Sequence, residues 1–169
     1  MEFKPLAIAL LTISDTRTME TDKSGALLAE CVSQSLHQIA QKQIVPDNIY
    51  QIRAVLSQWI VNEQIDIIIT TGGTGITGRD GTPEAVMPLF DKVLDGFGEI
   101  FRMLSYAEIK TSTIQSRAVA GVANGTYIFC LPGSANACHL AWHHLINQQL
   151  DSRTQPCNLV QLMPRLMEK

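Results

Sequence analysis

The chain has 169 residues, 46% of them apolar and 17% charged, with a formal net charge of −3. That size and composition suit one globular domain over residues 1–169 and exclude a disordered chain. The charge excludes a general basic field for nucleic acid, and no run reaches the roughly 18 apolar residues of a membrane span. The opening residues lack the basic-then-apolar order of a secretory signal, so a cytoplasmic protein with no membrane partner and no nucleic acid partner is expected. The cysteines at 31, 130, 138 and 157 form no C-x-x-C pair and are expected to be free thiols.

In chain order, Leu6 to Ile13 is a short apolar run without alternation, which predicts a strand buried on both faces. Ser24 to Leu36 has Leu27, Leu28, Cys31, Val32 and Leu36 at helical spacing. Ile39 to Val45 reads as a second, more polar strand ended by Pro46-Asp47. Asp47 and Asn48 both stand where they can cap the next helix, whose apolar face is Ile52, Val55, Leu56, Trp59 and Ile60. Ile65 to Thr71 is the clearest strand, rich in β-branched residues. A glycine loop follows, and Thr82-Pro83-Glu84 then reads as a helix start. Gly96 to Glu108 is expected to be helical. Asn124-Gly125 between Val119–Val122 and Thr126–Leu131 predicts a hairpin, since both turn residues must take positive φ. After Pro132-Gly133-Ser134 comes a helix with Cys138, Ala141, Trp142, Leu145 and Ile146 on one face. The tail after Leu150 shows no pattern and is expected to be irregular.

Strands that alternate with helices imply a three-layer α/β/α fold with a mostly parallel sheet, to which the hairpin adds an antiparallel edge. Ligands in such sheets sit at the carboxyl ends of the strands. Three strands run straight into small polar loops there: Ser14-Asp15, Thr71-Gly72-Gly73-Thr74-Gly75 and Pro132-Gly133-Ser134. If those strands are parallel neighbours, the three loops open on one edge. Glycine lets backbone amides approach a phosphate closely.

The glycine loop fails as a P-loop, because no lysine follows the glycines. Gly73, Gly75 and Gly78 match the dinucleotide pattern formally, but Gly81 and Pro83 delay the helix beyond the fingerprint. Asp80, at the end of the loop, could hold Mg²⁺ against nucleotide phosphates; capping of the next helix is its competing use. Asp47 has the same two readings. His139 and His143 lie four apart on a helix, yet on the flank away from its apolar face, and are expected to face solvent.

These segments resemble the family of MogA, MoaB and the gephyrin G domain, which serves molybdenum cofactor synthesis. The resemblance covers nearly the whole chain. It is carried by LTISDT, Asp22-Lys23-Ser24-Gly25, TTGGTGITGRDGTPEA, GFGEIFR, SRAVAGV and LPGS. The stretch from GFGEIFRML through SRAVAGVANGT most resembles the MoaB branch. The resemblance implies a MogA/MoaB-like fold, a homotrimer or homohexamer, and binding of molybdopterin. It also implies adenylylation of that pterin by Mg-ATP with release of pyrophosphate; a non-catalytic molybdopterin-binding or carrier protein is the alternative.

Carried over residue by residue, Asp80 matches the family's catalytic acidic residue and tentative Mg²⁺ ligand, and Asp47 its second acidic position. Gly72 to Gly75 would cradle phosphate, with Thr71 at the head of that loop. Ser14, Asp15, Ser24 and Gly25 belong to the same edge. Ser112, Ser116 and the Pro132-Gly133-Ser134 loop match positions near the pterin and its phosphate. One departure stands out: where the family's loop often reads Pro-Gly-x-Pro-Lys, this chain has Asn136 at the lysine position. Arg79, Arg117 and Lys110 are the candidates to compensate. Trp59, Phe97, Phe101 and Met103 exceed what one small core requires, which suits a subunit interface.

Overall fold

The run without alternation becomes β1 (Ala7–Ile13), and the computed structural model, which describes residues 2–168, shows that both faces of this strand are covered. Ile8 and Leu10 enter the core on one side of the sheet; Ala9, Leu11 and Ile13 enter the core on the other. The same division holds in β3 (Ile67–Thr71), where Ile67 and Ile69 oppose Ile68. It recurs in β6 (Thr126–Leu131), where Tyr127, Phe129 and Leu131 oppose Ile128 and Cys130. A strand buried twice has no polar face to show, so its sequence reads as continuous apolar residues.

With β2 (Gln38–Val45), β4 (Lys92–Val93) and β5 (Val119–Ala123), these strands form one six-stranded sheet in the order β2-β1-β3-β6-β5-β4. β2, β1, β3 and β6 run parallel; β5 pairs antiparallel with β6, and β4 with β5. The hairpin turn holds Asn124 at φ 48° and Gly125 at φ 80°, as its Asn-Gly dipeptide requires.

α1 (Lys23–Gln34), α4 (Asp95–Ile109) and α5 (Ala135–Ala141) cover one face through Leu28, Val32, Phe101, Cys138 and Ala141. α2 (Ile49–Ile60) and α3 (Thr82–Val86) cover the other through Ile52, Leu56, Trp59, Ala85 and Val86. The result is three layers, α/β/α. No helix among the described residues is long and apolar enough to cross a membrane.

Two details add to what the sequence predicts, at β4 and α3, and two expectations change, in the tail and at Trp59 and Phe101. β4 has two residues, too few to carry a periodic signal, and it displaces the hairpin from the sheet edge. α3 ends after five residues and passes into a 3-10 turn containing Pro88, because proline cannot donate to the next helical turn. The tail is not irregular throughout: α6 (Leu159–Leu162) docks on the sheet, with Val160 buried and the Tyr127 hydroxyl donating to the Leu159 carbonyl at 3.0 Å. Trp59 (4% exposed) and Phe101 (0%) are ordinary core residues rather than interface. Phe97 is half-buried against Phe101 and Phe129, and of the four only Met103, at 65%, is exposed.

Candidate functional site

The strand register decides where the loops meet. Thr12 lies beside Thr71, and Thr71 beside Leu131, so β1, β3 and β6 end level and their three loops open side by side. The loops touch closely: the Gly72 amide donates to the Leu131 carbonyl at 2.9 Å, and a β-carbon at Gly133 would stand 3.3 Å from the Gly72 α-carbon. Gly72 sits at φ +107°, where a side chain would strike the Ile13 carbonyl. A glycine here is a packing requirement of three converging loops.

They enclose a cavity of about 430 Å³, within the usual range for a small-molecule site. Its β1 wall carries Thr12, Ser14, Arg17 and Ser24; its β3 wall carries Thr71 to Gly75 and Asp80. Pro132, Gly133, Gln115 and Ser116 close the remaining side. The Ser116 hydroxyl is buried without a partner among the described residues, an arrangement that calls for a ligand or water. Gly72 has already spent its amide on Leu131, so the loop donors with no acceptor among the described residues are those of Gly73 and Thr74.

Asp80 does not cap α3, whose N-cap is Gly81 without a side-chain bond. Its Oδ2 instead accepts the Thr77 amide at 2.8 Å and the Thr77 hydroxyl at 2.6 Å, closing the loop on itself. That hydroxyl, with the Thr77 and Gly75 amides and Arg117 nearby, holds the carboxyl below the usual range. Asp80 is therefore firmly ionised at neutral pH.

Asp47 is released from capping as well, because Asn48 takes the amides of Tyr50 and Gln51. Asp47 accepts the Gly81 amide at 3.1 Å and lies against Gly73, 2.6 Å from where a β-carbon would stand there. Burial pushes its pKa up, the Gly81 bond opposes that, and the charges of Asp80 and Asp15 add to the rise. Two carboxylates in one corner are thus driven in opposite directions, a pattern common where charge is used chemically.

Arg117 holds this corner. Its Nε donates to the Gly75 carbonyl at 2.7 Å, one Nη to the Asp80 carbonyl at 3.0 Å, and the guanidinium pairs with Glu84. Its amide also donates to the Thr74 carbonyl at 3.0 Å. Arg79 pairs with Asp15 at 2.6 Å, and Asp15 in turn accepts the Asp47 amide.

Several residues matched from the sequence lie off the cavity, Asp47 among them, set against Gly73 and outside the lining. Asp15 faces Arg79 on the rim and is held low by it. Gly25 is buried behind Asp22, to which it donates at 2.9 Å. Ser112 is exposed in the 3-10 turn Lys110–Gln115, one turn before the residues that reach the cavity. The Ser134 hydroxyl caps α5 by accepting the Ala137 amide. Asn136 is exposed and outside the lining. Sequence reading missed Thr12, Arg17 and Gln115. Arg17 had a signal, a basic residue directly after a loop already marked for ligand binding; Thr12 and Gln115 had none.

The His139 and His143 rings are tilted by 45° with centroids 4.2 Å apart, and both residues are exposed. Cys31, Cys130 and Cys138 are buried free thiols, and burial pushes Cys130 and Cys138 up to about 12. Among the described residues no three His, Cys, Asp or Glu side chains are arranged to hold a metal ion by themselves.

The sequence model of a family described as a probable molybdopterin binding domain matches residues 9–152. The Molybdenum cofactor biosynthesis protein B of Escherichia coli (strain K12) is 53% identical over 157 residues, which cover 93% of this chain and 92% of that protein. A crystal structure of Molybdenum cofactor biosynthesis protein B superposes with a TM-score of 0.88 at 40% identity, covering 98% of each chain. The crystal structure of the tungsten cofactor synthesizing protein MoaB from Pyrococcus furiosus gives a TM-score of 0.74 at 39% identity, over 82% of this chain and 89% of that one. The chain therefore belongs to the MoaB/MogA family of molybdenum cofactor biosynthesis proteins.

Proposed function

We propose that the protein binds molybdopterin in the cavity at the ends of β1, β3 and β6 and adenylylates it with Mg-ATP. The supporting observation is the setting of Asp80: a firmly ionised carboxylate at the end of a glycine loop, in a cavity whose other polar groups are hydroxyls, amides and one arginine. Neutral donors suit a polar pterin and its phosphate, and a lone carboxylate beside phosphates calls for a bridging cation.

The donor set fits Mg²⁺. This ion takes one or two carboxylates plus substrate phosphate oxygens and retains water, rather than occupying a cage of protein ligands. Asp80 would hold it, with Asp47 as the second acidic group. Bound there, it would neutralise charge on the polyphosphate.

In the proposed reaction a terminal phosphate oxygen of molybdopterin attacks the α-phosphorus of ATP. A new phosphorus–oxygen bond forms, the bond from the α-phosphorus to the bridging oxygen breaks, and pyrophosphate leaves with that electron pair. The attacking phosphate is already largely dianionic at pH 7, its second pKa being about 6, so no strong base is needed. The protein's work is positioning and charge stabilisation. The Gly73 and Thr74 amides receive negative charge, the Ser116 hydroxyl contacts the substrate, and Asp47 orients the attacking group.

A homotrimer or homohexamer in the cytoplasm is part of the same reading. In support, α4 turns Ile100, Met103, Tyr106 and Ile109 outward, a stripe of apolar surface suited to a second copy.

The test is transfer of label from α-phosphate-labelled ATP to purified molybdopterin, with and without Mg²⁺. Label should appear in the pterin only with Mg²⁺, and Asp80→Asn should lower the rate at least about 100-fold, the scale of losing one electrostatic stabiliser. Tight pterin binding with no transfer would replace the enzyme with a molybdopterin-binding or carrier protein.

A further inference from the structure

The three cations that the sequence offers in place of the missing lysine are already committed. Arg117 is spent on loop carbonyls and Glu84, Arg79 on Asp15, and Lys110 on the Ala107 carbonyl. Arg17 alone lines the cavity, and it forms no ion pair among the described residues. Its segment is ordered by its own bonds. The Ser14 hydroxyl accepts the amides of Thr16 and Arg17, the Thr18 amide donates to the Thr21 hydroxyl at 2.9 Å, and the Asp22 amide to the Thr18 carbonyl at 3.0 Å. The guanidinium is thus carried on a bonded turn beside Ser14 and Ser24, on the β1 wall.

The β3 wall carries Asp80, the one carboxylate of the lining among the described residues. An anion entering alone is repelled by Asp80 and attracted by Arg17, so the two walls differ in what they require. The β3 wall takes a phosphate only with a cation present; the β1 wall takes one without.

We infer that Arg17 is the phosphate-anchoring cation of this cavity and that it holds a phosphate oxyanion independently of any metal at Asp80. This deepens the proposed function and rests on it for the identity of the phosphate, which would be the one on molybdopterin. Guanidinium offers two parallel donors to two oxyanion oxygens, a fit that a lysine ammonium lacks.

The experiment measures binding of inorganic pyrophosphate by calorimetry in EDTA at low salt, using wild type, Arg17→Gln, Arg17→Lys and Asp80→Asn. Arg17→Gln should weaken binding about tenfold, the lower end expected for a lost charge-assisted contact at an exposed side chain, and flatten the salt dependence. Arg17→Lys should recover part of the loss. Asp80→Asn should bind as tightly as wild type or more so. Arg17 is exposed, so a matching urea midpoint for Arg17→Gln will show that the fold is intact. Equal binding by wild type and Arg17→Gln, or no pyrophosphate binding by wild type in EDTA, overturns the inference. Molybdopterin binding by wild type separates the two readings. Pterin binding that ignores Arg17→Gln keeps the function and removes the anchor; Arg17-dependent pyrophosphate binding without pterin binding keeps the anchor and removes the function.

Discussion

Replacing Arg117 with methionine tests whether the glycine loop is held in shape from outside. The guanidinium makes two charge-assisted bonds to loop carbonyls, at 2.7 Å to Gly75 and 3.0 Å to Asp80, and one ion pair to Glu84. A bond to a charged group contributes about 1.5–3 kcal/mol when its surroundings are buried. Here both carbonyls belong to half-buried residues, and water replaces part of the loss. The Glu84 side chain is 49% exposed, so that pair is worth only about 0–1 kcal/mol. Together these give a destabilisation of about 2–3 kcal/mol for Arg117→Met, read as a lower urea midpoint at unchanged slope. Arg117→Lys should recover less than half, because one ammonium cannot reach both carbonyls. The loop also sets where the Asp80 carboxylate stands, so the Mg²⁺ concentration for half-maximal adenylylation should rise in both variants. A role confined to stability leaves that concentration unchanged. An Arg117→Met protein within about 0.5 kcal/mol of wild type, with the same Mg²⁺ requirement, would refute the view that Arg117 positions the loop.

Two other perturbations follow from groups left unpaired in the interior. The Leu6 amide donates to His37 Nδ1 at 3.2 Å, while Nε2 is buried without a partner among the described residues. Burial lowers the pKa of His37 from 6.5, against partial opposition from Asp151 and Asp66. A lowered folded pKa means the stabilising contribution is present above the unfolded value and is lost as pH falls below about 6.5. His37→Asn keeps an acceptor for Leu6 without titrating, and should flatten the loss of unfolding free energy between about pH 7 and 5.5; an unchanged slope would show that His37 is not its source. Ser116→Ala removes a buried hydroxyl with no partner among the described residues, so the free protein should stay within about 1 kcal/mol of wild type or gain stability. Molybdopterin affinity should fall about fivefold in titrations, and an unchanged affinity would remove Ser116 from the pterin contacts.

The parts of this fold legible in the sequence are those whose cause is local or periodic. β1, β3 and β6 are recognisable because burial on both faces leaves no polar position, and the hairpin because Asn124-Gly125 accepts positive φ. The sequence could also bring the Ser14, Gly72 and Pro132 loops to one edge, since parallel order alone requires it. It could not say which loop residues reach the cavity. Ser112, Ser116 and Ser134 look alike in sequence, yet one is exposed in a 3-10 turn, one is an orphan hydroxyl on the cavity and one caps a helix. Those fates depend on how each turn closes in space. Arg79 and Arg117 are equal candidates for phosphate in sequence, and only their tertiary partners, 64 and 33 residues away, commit both elsewhere.

Asp47 offers the sharpest way to separate a residue kept for function from one kept for the fold. The one hydrogen bond that its carboxylate makes among the described residues, from the Gly81 amide, can be accepted equally by the carbonyl of an asparagine. Its charge, by contrast, is opposed by burial and by Asp80 and Asp15. A raised folded pKa means its contribution is full below the unfolded value of 3.8 and is lost as pH rises through the folded pKa. Asp15, Asp80 and Glu84 are lowered and behave oppositely: their contribution is present at neutral pH and lost as pH falls below about 4. Asp47→Asn should therefore be more stable than wild type at pH 7 in urea unfolding, and the difference should vanish near pH 3, where Asp47 is protonated. The same variant should lose transfer activity while gaining stability, a trade expected of a group held in an unfavourable state for its chemistry. Lower stability at pH 7 would mean that the ionised carboxylate supports the fold, and would leave its presence beside Asp80 with no functional reason.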